Sequence, residues 1–504
     1  MKNIRTIASL TLSLSLFLGA MTVEAGDTVV CSQKKPVMLV SGEGSRQSDQ
    51  DKELDEVLEG FDEGADSTSE ADDLEDVLKG FEEESADDPE PIGEKGPDKQ
   101  DFWDLSGSLS LGTSVSYAHE APQPGQADYR GITRLRPDLH LELDLRLSEK
   151  WKARISGRAF FDFAYIFNGR DGYPDDVLDR YEEEAEFQEV YVQGPVLSSL
   201  DIKAGRQIVV WGRSDNIRVT DILNPLDNRE PGLVDIEDLR LPVAMTKIDY
   251  YTGPWNMSGI AVHEIRFNKH PVPGSEFLPV TTPLPPETEP VNSLDNTEYA
   301  FALNGIFPGW DVSLYWARYF DDKAHTEPFL PGRLLRRHSR LTMAGAAANI
   351  ARGNWLFKSE AAYITGLEFF GLPDIDKSRL DALAGVEYSG IDNTVISLEV
   401  ANRHIVGFDE RLENPIDNEQ KDVLQSVLRF SGDYMYDRLH PVILLSMFGL
   451  DGEDGSFQRF SVGYDVTDAL EVKTGLVTYQ SGDRAEFRTI GDNDRFFLEA
   501  KYSF

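Results

Sequence analysis

Cysteine is all but missing from this 504-residue chain: Cys31 stands alone, so no disulfide can form within it. Basic residues are scarce beside acidic ones, 49 against 89, and the resulting net charge of -40 disfavours a nucleic-acid partner. Beyond the N-terminus there is no apolar run of about eighteen residues, which excludes helical membrane spans. A catalytic constellation is missing as well. No G-x-S-x-G occurs, and the eight histidines are scattered singly, so no enzyme is expected. Asp451-Gly-Glu-Asp-Gly-Ser456 lacks the length and closing Glu of a calcium loop and reads as a hairpin tip. Nothing calls for a metal or a cofactor.

What is present begins with a leader. Lys2 and Arg5 precede an apolar run from Ile7 to Ala20 and the small-residue site Val23-Glu24-Ala25, which marks residues 1–25 as a secretory signal. Thr28-Val29-Val30 gives Cys31 no lipoprotein-like context. An exported chain without helical spans is soluble, surface-bound or a membrane β-barrel.

Residues 26–104 form an acidic arm, and from Ser41 onward it is too poor in aromatics to bury a core of its own, the composition of a disordered segment. It carries a repeat. Leu54, Val57, Leu58 and Phe61 recur as Leu74, Val77, Leu78 and Phe81, each set at i, i+3, i+4 and i+7. On a helix that spacing gives one apolar stripe, the form in which a short helix docks in a partner's groove. The alternative is a solvated spacer whose repeat is an accident of duplication.

From Leu105 the period changes to two. Leu139, Leu141, Leu143, Leu145 and Leu147 alternate with His140, Glu142, Asp144, Arg146 and Ser148, and similar segments recur to Phe504. About eighteen strands are expected between 105 and 504, among them 105–118, 131–148, 151–166, 198–211, 255–267 and 378–390. A soluble sandwich would also alternate. The connectors decide: short ones such as Gly253-Pro254 and Pro308-Gly309 take turns with long ones such as 168–185, 211–239 and 268–296. That asymmetry belongs to an all-β, transmembrane, antiparallel up-and-down barrel in the outer membrane of a Gram-negative bacterium, with the arm in the periplasm. Trp151, Trp255, Trp310 and Trp355 each follow a short turn, where an interfacial girdle would sit. The last strand closes on Tyr502 and Phe504, resembling the signal read by the β-barrel assembly machinery.

Function then turns on the lumen. Arg134, Arg136, Arg154 and Arg158 line its face among Asp138, Glu142, Asp144 and Asp162, either as a ladder of paired charges or as a selectivity filter. The irregular stretch 205–227, GRQIVVWGRSDNIRVTDILNPLD, joins the fifth strand to the third external loop. By analogy with general porins, Trp211, Arg213, Asp215, Arg218 and Asp221 would fold inward as a constriction, or else tie down an external loop. Continuing the alternation from Leu200 points Arg206 at lipid, so a bulge should precede Trp211.

With the leader, the acidic arm and the terminal Phe, this stretch resembles a large family of bacterial outer-membrane proteins of unassigned function. More distantly, it is similar to the alginate-export type of eighteen-stranded barrel. The resemblance implies work beside a resistance-nodulation-division (RND) type inner-membrane exporter, and hence transport of a hydrophobic or lipid-like molecule. The expectation is an outer-membrane channel or export conduit for a hydrophobic, lipid-like or anionic molecule, recruited to a periplasmic or inner-membrane partner by the arm. A non-conducting anchor that presents the arm or the outer loops is the alternative.

Overall fold

The computed structural model describes residues 102–504. The leader, nearly all of the arm and both repeats lie outside the described residues, and with them the docking positions Leu54, Val57, Leu58, Phe61, Leu74, Val77, Leu78 and Phe81.

Eighteen strands form one antiparallel sheet closed on itself. They are β1 (Trp103–Ser116), β2 (Gly131–Arg146), β3 (Lys152–Phe161), β4 (Glu183–Leu197), β5 (Leu200–Gln207) and β6 (Val243–Thr252). Next come β7 (Trp255–Val262), β8 (Glu298–Phe307), β9 (Trp310–Phe320), β10 (Arg340–Arg352), β11 (Trp355–Phe369) and β12 (Leu372–Ile391). The circle ends with β13 (Thr394–Val406), β14 (Asp422–Gly432), β15 (Leu439–Phe448), β16 (Gly455–Asp465), β17 (Leu470–Gln480) and β18 (Arg495–Ser503). Each strand pairs with its sequence neighbours, and β18 returns to β1 from Arg495–Ser116 to Ser503–Ser108. The expected barrel is the one observed.

Alternation explains the wall. Along β9, Trp310, Leu314 and Trp316 are exposed on the outside while Ser313, Tyr315, Ala317 and Tyr319 are buried inside. Exposed leucines and aromatics recur around the circle, as Leu109, Phe357, Tyr363, Leu398, Phe460 and Phe496. In water such a surface would associate, but in a bilayer it is the required solvent match. Two girdle tryptophans also fill gaps in the sheet: the Trp151 ring lies over Gly194 and that of Trp255 over Gly305, each where a Cβ would stand 2.6 Å from the ring. Phe504 completes the seam, exchanging two backbone hydrogen bonds of 3.0 Å with Gly107.

Four expected boundaries shift by more than three residues. Strand β5 stops at Gln207 rather than 211, and β7 stops at Val262 rather than 267. In place of the end of the third segment, 164–167 form a helical turn, whereas β12 starts at Leu372 rather than 378. Period two cannot separate a strand from an extended loop that also has one buried side, and only the pairing partner does so.

The bulge expected in the fifth strand before Trp211 is not there: Leu200 to Gln207 pair with Tyr250 to Val243 of β6 in unbroken register, and the irregularity lies on a neighbouring strand. Pairing between β3 and β4 slips between Ile155 and Gly157, and Gly205 holds a φ of 127°, a conformation open to glycine. Arg206 keeps the outward face, opposite the exposed Val190, and its guanidinium bends to the loop end of the wall, where it donates to the carbonyls of Phe187 and Pro242 at 2.8 and 3.2 Å.

Inside the barrel the two halves differ. Toward the loop end, the inner faces of β6 to β13 carry an apolar band of Val243, Met245, Ile260, Val262, Ala300, Ala302, Ala317, Met343, Ala362, Ile364, Leu383 and Ala401, while Asp249, Ser313, Lys358, Glu360 and Glu399 lie toward the short-turn end. Charged side chains dominate β2 to β5.

Candidate functional site

Residues 208–242, the third loop (L3), turn into the barrel as soon as β5 ends. Val209 and Trp211 face the wall and are buried, while Val210 between them remains 57% exposed. The Trp211 ring stacks on Tyr315 of β9, centroids 4.7 Å apart. Four residues after Gln207, the chain has therefore passed β6, β7 and β8. An extended segment of that length spans roughly 14 Å against about 19 Å for the four strand spacings from β5 to β9, so L3 runs stretched beside the wall and the Trp211 and Tyr315 side chains close the remainder.

It also descends. The Arg213 guanidinium donates to Asp311 at 2.5 Å and to the Ser313 hydroxyl at 2.8 Å, and Asp311 is one residue from the short-turn end of β9. The tip of L3 thus sits close to the short-turn rim.

Two buried carboxylates of the wall hold that tip. Glu360 of β11 accepts the N–H groups of Arg213 and Ser214 at 2.5 and 2.7 Å on one oxygen; its other oxygen takes the N–H and hydroxyl of Thr220 at 3.1 and 2.8 Å. Glu399 of β13 accepts the N–H groups of Asp215 and Asn216 at 2.9 and 3.0 Å and the Ser214 hydroxyl at 2.7 Å. Neither carboxylate forms an ion pair among the described residues. Seven donors from the loop do what a cation would, because successive N–H groups of a tight turn converge as an anion nest. The motif WGRSDNIRVTD therefore encodes a backbone shape. Gly212 shows why: its φ is 88°, and a Cβ there would stand 2.6 Å from the Glu360 carboxylate. Lys358 of β11 adds a bridge from Asp215 to Glu387 of β12, the second at 3.1 Å.

The return path climbs. Arg229 meets Glu184 of β4 at 2.9 Å, and Glu230 meets Arg136 at 3.1 Å and Arg134 at 3.5 Å. The Tyr479 hydroxyl of β17 donates to the Pro231 carbonyl at 2.6 Å, and Asp235 pairs with Arg459 of β16 and with Arg429 of β14 at 3.6 Å. L3 thereby touches the wall on both sides, low on β9, β11 and β13 and high on β2, β4, β16 and β17. Burial alone would raise the Glu230 carboxyl, but the guanidinium groups of Arg136, Arg134 and Arg229 more than reverse this and hold it well below the usual carboxylate range.

The residues singled out from sequence fall into three groups. Trp211, Arg213 and Asp215 anchor L3 to β9, β11 and β13. Arg218 and Asp221 brace the loop internally: Arg218 donates to the Asp221 and Asn224 carbonyls at 2.7 Å each, and Asp221 pairs with Arg240 at 2.9 Å. Arg134 and Arg136 reach L3 from the opposite wall, whereas Arg154 and Arg158 pair across strands, with Asp144 at 2.7 Å and Asp138 at 2.6 Å. Those last two face the side of the lumen that L3 leaves free: Arg158 and Asp144 keep 44% and 45% of their side-chain surface.

Glu360, Glu399 and Tyr315 were not singled out from the sequence. A signal was available for two of them, since each glutamate interrupts an inner stripe that is otherwise small or apolar, Glu360-x-Ala362-x-Ile364 and Ser397-x-Glu399-x-Ala401.

The chain belongs to DUF1302, a family described as protein of unknown function, whose profile matches residues 123–504. No curated protein matches it. Among solved structures it is similar to Pseudomonas aeruginosa OccK3 (OpdO), 16% identical over 80% of this chain and 95% of that chain, with a TM-score of 0.45. Acinetobacter baumannii OccAB1 is 10% identical over 80% and 96%, with a TM-score of 0.47. Pseudomonas aeruginosa OpdK with vanillate is 11% identical over 80% and 98%, also with a TM-score of 0.47.

Proposed function

We propose that this member of the DUF1302 family is a gated outer-membrane channel, with L3 as its gate. The observation that carries the reading is how L3 is fastened. A permanent plug would be expected to pair with the wall through strand ladders, but the tip is held by seven hydrogen bonds to Glu360 and Glu399. Such contacts can be lost together while every wall strand keeps its partners. Exposure of Val210, Arg158 and Asp144 beside L3 supports a water-filled passage on the β2 to β5 side.

The cargo that fits is amphipathic, with an apolar body and an anionic end. An apolar wall faces a row of arginines, and Val209, Trp211, Ile217, Val219 and Leu223 now cover the surface along which the apolar body would ride. In a cell, an RND-type exporter or a periplasmic protein would supply it, captured by the acidic repeats. Changing Leu58, Phe61, Leu78 and Phe81 together to Asp should then abolish capture of that partner from periplasmic extract while barrel assembly continues.

Conductance in a planar bilayer tests the gate. The wild-type protein should open rarely and the Glu360→Gln, Glu399→Gln double variant often. If the double variant stays silent, and a protein with L3 shortened does too, the channel reading fails and the tightly packed L3 marks a non-conducting anchor.

A further inference from the structure

The wall of this barrel is not equally tall all round. Strands β5 and β7 have 8 residues each, whereas β2, β4, β11 and β12 have 15 to 20. Tilted as barrel strands are, 8 residues rise roughly 20 Å, short of the apolar band of about 25 Å. The deficit lies at the loop end. Val190 is the last residue of β4 opposite β5, so Glu183 to Phe187 pair with β3 on one side and with no strand on the other. Across the gap, β8 begins only at Glu298, opposite Val262 at the end of β7. Between them is a notch at the level of the outer leaflet.

Charged side chains fill it. Arg206 pairs with Glu186 and Glu264 at 3.0 Å each; Arg266 pairs with Glu186 at 2.7 Å; Lys269 pairs with Glu184 at 2.7 Å and Glu186 at 3.1 Å. Three cations and three anions form this cluster, and the L3 pair Arg229–Asp227 continues it from Glu184. Arg206 and Arg266 also take the Pro242 carbonyl, at 3.2 and 3.1 Å, where L3 rejoins β6. Six ionic groups are an expensive substitute for a strand ladder at this depth, where a continued β5–β6 hairpin would satisfy the backbone at no charge. Ion pairs differ from a ladder in one respect that matters: they can part and re-form in water without disturbing any strand.

The apolar inner wall leads up to this place. Val243 and Val262, at the loop ends of β6 and β7, are each 1% exposed and form the floor of the notch, continuous with Met245 and Ile260 below. From these observations we propose that the notch between β4 and β8 is a lateral portal, through which the apolar part of a lipid-like cargo passes between the lumen and the outer leaflet. The six-charge cluster is its seal. This rests on the conduit reading, and it adds a sideways exit that a simple axial channel lacks.

The test uses the full-length protein with Cys31→Ser, reconstituted in liposomes, and a fatty acid carrying a photoreactive diazirine. Ultraviolet labelling of residues 241–245 and 262–266 should be strong in this protein. Adding Glu186→Cys and Lys269→Cys, whose charged groups lie 3.1 Å apart, and joining them with a short bismaleimide should abolish that labelling while leaving bilayer conductance unchanged. Arg206→Ala, which unseals without any cross-link, should raise it. Labelling that is indifferent to the cross-link, or absent from the notch in the Arg206→Ala protein, overturns the portal. Loss of conductance in every variant with cross-link-sensitive labelling retained would overturn the axial channel and leave the portal standing.

Discussion

Glu360 and Thr220 meet twice: one carboxylate oxygen accepts both the N–H of Thr220, at 3.1 Å, and its hydroxyl, at 2.8 Å. Those two residues are 140 positions apart, one on the wall and one on the gate. The other oxygen holds Arg213 and Ser214, so a single side chain staples both limbs of the L3 tip.

Replacing Glu360 by Gln should therefore cost more than its small change in shape suggests. One of its two oxygens becomes an NH2 group that faces donors, leaving buried N–H groups unpaired at about 1–3 kcal/mol each. The tip of L3 should become cleavable by added protease, while heat-modifiable migration of the barrel on gels stays as in wild type. An uncut L3 in the variant would show that packing alone holds the gate.

Trp211→Ala removes the stack on Tyr315 and a large apolar contact. Comparable buried aromatics lose about 3–5 kcal/mol on truncation to Ala. Since Trp211 belongs to the loop and not to the wall, the loss should appear as frequent channel openings and faster protease cleavage of L3, with the barrel's own unfolding temperature little changed.

Two carboxyls of the loops should respond to pH in opposite senses. Burial, with Asp321 nearby, pushes Asp322 up to about 7 despite the attraction of Arg218. A raised acid favours the protonated form in the folded state, so its contribution is fully present below about 3.8 and is lost as pH rises through 7. Glu230 is depressed, so its contribution is present above about 4.5 and is lost only in stronger acid. Opening probability followed from pH 5 to 8 should rise with pH, and Asp322→Asn should flatten the curve. A profile unchanged by Asp322→Asn would exclude Asp322 as its source.

Deleting Phe504 removes both hydrogen bonds to Gly107 and the aromatic ring that covers it. The yield of heat-modifiable barrel in the outer membrane should fall, whereas Phe504→Tyr, which keeps backbone and ring, should assemble as wild type does. Equal yields would count against a role for the terminal residue in closing the seam.

Much of the architecture could be read from the chain alone. Period-two alternation, turns of unequal length and tryptophans after the short ones come from local constraints: every second residue must face lipid, and every backbone group must be paired within the wall. The loop that enters the lumen was also legible, because Gly212, Asn224 and Pro225 break an otherwise regular pattern. Several features lay beyond that reading. Where β5 ends, that Arg218 and Asp221 brace the loop internally while Arg213 and Asp215 grip the wall, that Glu360 and Glu399 are the latch, and that one half of the lumen carries an apolar band all depend on which strands stand opposite L3 once the circle closes. Those partners lie up to about 220 residues away in the chain, as Asp235 and Arg459 do. Alternation fixes which face a residue occupies, since that depends on its neighbours in sequence; what occupies the space in front of it is decided by closure of the barrel, since only closure brings distant strands and the third loop to one place.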